Sequence, residues 1–177
     1  MEKSFKSVAV NFGLYLGIIL TALTCGAYLI NVELFLNTLF GVSFYLVAIA
    51  LAIIAIVNAK KLLHGFISFK DAFTTYFITT LIGFGIVTLV SFILFNFVDV
   101  EAAALLKEKS LEKIALVYKS MNFAPEKIAE MVEKIESDNM FSLKNSMISL
   151  FVNYLLPLSI IGLLVAAVMK KNNPEAR

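Results

Sequence analysis

Four long stretches contain no charged side chain: Ser7 to Ile30, Leu34 to Ala59, Ala72 to Val98, and Asn145 to Met169. Each exceeds the roughly 20 residues that a helix needs to cross a hydrocarbon core about 30 Å thick. A chain built this way must satisfy its backbone polar groups inside each segment, so helices are the natural spanning form. The composition agrees. The 177 residues are 60% hydrophobic, against about 45–50% apolar in soluble domains. The sequence predicts an all-α polytopic membrane protein, one domain over residues 1–177. Its spans fall at about 7–30, 34–59, 69–98 and 145–169, with a helical insert at about 99–140.

Charge sets the expected orientation. Lys3 and Lys6 precede the first span, Lys60, Lys61 and Lys70 follow the second, and Lys170, Lys171 and Arg177 follow the fourth. Lysine and arginine near span ends stay on the cytoplasmic side. These three segments, and both termini, are therefore expected inside. The connections 31–33 and 99–144 are expected outside. From Asp99 to Asp138, six lysines face nine carboxylates, a net −3 that fits an outer placement. The overall charge of +2 gives no basic surface for nucleic acid. The first run is longer than a signal-peptide apolar region of about 7–15 residues, and no clear small-x-small cleavage site follows it. The single cysteine, Cys25, excludes an internal disulfide.

Within the spans, Gly13 and Gly17 form a G-x-x-x-G on which a second helix can approach closely. On the third span Thr75, Thr79 and Gly83 share one ridge, a second candidate helix-packing surface. Threonines 74 and 88 point elsewhere, which argues against a continuous polar pore wall. The second span, with few polar groups, is expected to be scaffold. On the fourth, Asn145, Ser149, Asn153 and Pro157 recur every four residues. They are the candidate intramembrane polar line, because Pro157 cannot donate to the Asn153 carbonyl and leaves a free acceptor.

Between spans two and three, Ser68-Phe69-Lys70-Asp71 matches the capping box, which starts the third helix at Phe69. Ser68 and Asp71 are therefore assigned to a cap. Lys60, Lys61 and Lys70 could hold anionic lipid head groups, and His64 beside them lacks co-ligands for a metal. In the insert, Ala103, Leu106, Ser110, Ile114, Val117 and Met121 keep helical spacing, as do Ala124, Ile128, Met131 and Ile135. Asn122-Phe123-Ala124-Pro125 separates them, so an extracytoplasmic amphipathic hairpin is expected, with Pro125 in the first turn of its second helix.

The basic N-terminus, four spans, the stretch Gly65-Phe66-Ile67-Ser68-Phe69-Lys70-Asp71-Ala72-Phe73, the charged segment before the fourth span and the Lys-rich tail together resemble a known family. It is the domain-of-unknown-function 4199 family of small bacterial inner-membrane proteins. The resemblance implies a multi-pass inner-membrane location and brings no activity, ligand or catalytic residue. Members often follow the third span with an Asp-Pro step. Here Val100 follows Asp99, which weakens the expected helix break.

No span carries an ionisable acid or base of the kind that proton relays and ion-coupled carriers use. No hydrolase triad, H-E-x-x-H or Gly-rich phosphate loop is present. No catalytic, cofactor or metal residue is assigned. The expected role is a non-enzymatic scaffold or accessory subunit acting through helix–helix contacts, with membrane lipid and either a second copy or another membrane protein as partner. The alternative is a subunit of a small oligomeric transporter or channel that uses the fourth-span polar line.

Overall fold

The structure is a computed structural model describing residues 4–171. Lys3 and Arg177, counted among the basic flanks, lie outside the described residues. Among the described residues four apolar helices have membrane-spanning length, Phe5–Ile30, Thr38–Leu62, Phe69–Val98 and Leu143–Met169. The protein is a multi-pass, all-helical membrane protein, as the uncharged runs require.

The first span is α1 (Phe5–Ile30), opened by the Ser4 hydroxyl accepting from the Ser7 N–H. Asn31, in extended backbone, ends it and caps a short 3-10 turn, Val32–Leu36. Asn37 then caps α2 (Thr38–Leu62), accepting from the Leu39 N–H at 2.8 Å. Two asparagines therefore bring the chain round in a few residues, since each supplies the acceptor that a helix start lacks. At the far end of α2, His64 (φ 55°) and Gly65 (φ 86°) are left-handed. The Gly65 N–H bonds the Lys60 carbonyl at 2.9 Å, closing the helix end.

The third span comprises α3 (Phe69–Ile93) and a π-helical turn, Leu94–Val98. Ser68 caps it, accepting from the Asp71 N–H at 3.0 Å. The return bond differs from the standard box: the Ser68 hydroxyl itself donates to Asp71 Oδ2 at 2.7 Å. This span is central, packing on α1, α2 and the fourth span.

Asp99 ends the third span and caps α4 (Val100–Ser120), accepting from the Ala102 N–H at 2.8 Å. The helix break expected to weaken without Asp-Pro is present. A carboxylate cap at a helix N-terminus supplies it instead of a ring. After Asn122, which is left-handed (φ 59°), α5 (Pro125–Glu136) folds back on α4 with Pro125 in its first turn. The predicted stripe of α4 divides in two. Leu106 and Ser110 are buried near Phe95 and the Val32–Leu36 turn, where Ala102 is buried and the predicted Ala103 only partly so, while Val117 and Met121 are 48% and 61% exposed. The root of the hairpin belongs to the bundle, and its tip does not.

The fourth span runs through α6 (Leu143–Ile148), a π-helical segment Ser149–Leu155, and α7 (Leu156–Met169). Its last turn is pinned to the α2–α3 connection. Ile67 and Lys171 exchange two backbone hydrogen bonds of 2.9 Å, and Lys60 Nζ donates to the Met169 carbonyl at 3.0 Å. Lys60, Lys61, Lys70 and Lys171 thus gather at one end of the bundle, and the α4–α5 hairpin projects from the other.

Asp99 also accepts from the Tyr28 hydroxyl at 2.8 Å. The Ala102 N–H, then that phenol, hold its carboxyl below its ordinary value of 3.8. Asp138 is lowered too, first by the Asn145 amide. A depressed folded-state pKa contributes stability that is present above the unfolded value and is lost as pH falls through the folded one. The midpoint of thermal unfolding should therefore drop below about pH 4. Asp99→Asn, which keeps a capping oxygen, should flatten that drop. An identical acid profile for this variant would remove Asp99 as a cause.

Candidate functional site

The α1–α3 seam brings together Gly13, Gly17, Thr79 and Gly83, with Thr75 buried one turn before Thr79 on α3. A Cβ on Gly13 would lie 2.8 Å from the Ile82 Cβ and 3.2 Å from the Thr79 carbonyl oxygen, and one on Gly17 would lie 2.5 Å from Ile86 Cδ1. From the other side, a Cβ on Gly83 would lie 2.5 Å from Leu16. Thr79 Oγ1 bonds both the Thr75 carbonyl at 2.9 Å and, across the seam, the Ala9 carbonyl at 3.2 Å. Small residues let the backbones meet, and a threonine then spans the remaining gap. The glycine pair faces inward, so it is occupied within the chain.

At the basic end the three candidate lipid-contacting lysines part company. Lys60 is committed to the carbonyl end of α7, where an ammonium also meets the negative end of the helix dipole. Lys61 and Lys70 are exposed. Ser68 and Asp71 bond each other in the cap, and His64 is exposed in the turn.

The fourth-span residues do not form one polar line. The π-helical segment shifts the angular register between Ser149 and Pro157. Asn145 sits at the hairpin end, donating to Asp138 Oδ2 at 3.0 Å and to the Asn139 carbonyl at 2.8 Å. Ser149 faces inward, while the Asn153 side chain is exposed and donates to Ser149 Oγ at 3.3 Å. Pro157 has no N–H to offer the Asn153 carbonyl, and that carbonyl accepts from the Tyr45 hydroxyl of α2. The second span, expected to be scaffold, thus contributes a phenol that ties it to the fourth. An aromatic within Phe44-Tyr45-Leu46, one helical face from Ala48 and Ala52, was the available signal.

Between Tyr45 and the hairpin end of the bundle lies a partly open chamber of about 300 Å³. Its apolar wall is aromatic, with Phe40 and Phe44 from α2, Phe95 from the third span, and Tyr154 stacked on Phe84 at 4.7 Å. Hydroxyls interrupt that wall: Thr88 and Ser91 from α3, and Ser146 and Ser149 from the fourth span. Leu106 and Ser110 of α4, both buried, roof it. None of the lining side chains is charged. Thr88 Oγ1 is shielded from solvent and has no hydrogen-bond partner. Thr88 lies off the Thr75/Thr79/Gly83 ridge, the scatter that argued against a pore wall, and lines this space instead. No group of three or more His, Cys, Asp or Glu side chains able to hold a metal occurs among the described residues.

The family described as "Protein of unknown function (DUF4199)" matches residues 11–171. No curated protein and no solved structure matches the chain. The seam glycines, the capped third span and the hairpin all lie within the matched residues, and the chain belongs to the DUF4199 family of proteins of unknown function.

Proposed function

We propose that the protein is a non-enzymatic accessory subunit of the membrane, acting through side-chain contacts with another membrane protein. The observation that carries this reading is the hairpin tip. Leu116, Val117 and Met121 are 67%, 48% and 61% exposed at a site beyond the spans, where lipid does not cover them by default. A soluble-phase apolar surface of this kind marks an interaction site. In this reading the basic end, with Lys61 and Lys70, meets anionic head groups. The hairpin end faces outward.

A transport role through the fourth-span line has less support, because Asn145 and Asn153 are engaged outside any shared interior path. A photo-crosslinking amino acid placed at Leu116 should give a discrete adduct with one membrane protein in cells. The same label at lipid-facing Ile18, 65% exposed, should not. Loss of the Leu116 adduct, with the protein isolated alone as a monomer, would contradict the proposal.

A further inference from the structure

We propose that the aromatic chamber is a binding site for an uncharged, hydroxyl-bearing lipid that enters sideways from the bilayer. This goes beyond the accessory role and does not depend on it. The chamber's volume of about 300 Å³ reaches the lower end of ligand pockets, roughly 300–1,000 Å³, which are typically apolar with a few placed polar groups.

Its access is lateral. The backbone of α2 approaches the fourth span only along α7, and neither α6 nor the π-helical segment comes close to it. Tyr45, bonded to the Asn153 carbonyl and 6.2 Å from the Tyr154 ring, closes that interface at its inner edge. Beyond Tyr45 the first turns of α2 stand apart from α6. Gly41 lies in this opening: it lines the chamber, and a Cβ there would meet nothing within 4 Å.

The lining selects the occupant. Acyl methylenes match Phe40 and Phe44. The absence of a charged lining group disfavours an ionic head, whose desolvation would go uncompensated. Lys107 and Asp138 line a separate polar recess on the far side of Phe95 and Phe141. Thr88 lines the chamber with its unpaired hydroxyl just behind the surface, and a small rotation of the side chain would present it as the specific polar contact, since a buried donor without a partner gains most from a ligand oxygen. Ser110, only 8% exposed, adds a second hydroxyl from the roof.

The test uses the full chain in phosphatidylcholine vesicles with a diazirine-labelled diacylglycerol, and the adducts are mapped by mass spectrometry. Labelling is expected on chamber residues of α2 and α4, and a diazirine-labelled phosphatidylserine should label only the outer faces. Gly41→Phe, whose Cβ has open space and whose ring would occupy the opening, should reduce chamber labelling about fivefold or more. Thr88→Val should weaken it by about the same factor, the loss of one neutral hydrogen bond, while raising thermal stability without ligand because an unsatisfied buried hydroxyl is removed. Adducts on the α1 lipid face around Ile18 should be unchanged in both variants. Chamber labelling that is absent, that is equal for phosphatidylserine, or that survives both substitutions would overturn the proposal.

Discussion

Gly13→Leu is expected to lower stability by about 3 kcal/mol, the upper part of the range for overpacking a tight contact. The reason lies in what stands opposite. The nearest atoms to a new Cβ are the Ile82 Cβ and the Thr79 backbone carbonyl, neither of which can move aside as a side-chain tip would. The helices must separate, and the Thr79 bond to the Ala9 carbonyl goes with them. Gly85→Ala is the matched control on α3, because nothing lies within 4 Å of a Cβ there, and it should lose no stability. Unfolding midpoints in a mild detergent separate the two. Equal midpoints for Gly13→Leu and the parent would mean that the seam is not where the bundle is held.

Gly162→Ala should be nearly as damaging, at about 2 kcal/mol. A Cβ at this position would sit 2.6 Å from Tyr76 Cδ1, and Tyr76 is fully buried with no room to withdraw. Shrinking the ring should relieve it. Combining Gly162→Ala with Tyr76→Leu is expected to be less destabilising than the sum of the two single changes, by about 1 kcal/mol, the size of coupling seen for residues in contact. Strict additivity would show that the two side chains do not compete for the same space.

The legible parts of this protein were those governed by local rules. Uncharged runs fixed the four spans, because a stretch such as Ala72 to Val98 has few other stable environments. Gly13, Gly17 and Gly83 could be read as contact positions, and Ser68 as a cap, since each needs only its near neighbours in sequence. What stayed hidden depended on pairs far apart in the chain. Tyr45 and Asn153 are 108 residues apart, and Tyr28 and Asp99 are 71 apart. A four-residue spacing suggested one line from Asn145 to Pro157, yet the π-helical segment Ser149–Leu155 undoes the regular helix that the spacing assumes. The chamber was invisible for the same reason. Its hydroxyls come from all four spans and from α4, and Thr88 gains meaning only once α4 covers them.

The central claim is that the basic turn and the α4–α5 hairpin occupy opposite ends of a four-helix bundle that crosses the membrane. It can be tested by cysteine labelling in a Cys25→Ser background, because Cys25 is the chain's only cysteine. Single replacements His64→Cys and Leu116→Cys, both at exposed positions, are treated in intact cells with a membrane-impermeant maleimide. Only the Leu116 replacement should react, with the His64 replacement reacting after the membrane is opened. Reaction of both in intact cells, or of neither until lysis, would place the two segments on one side and contradict the architecture.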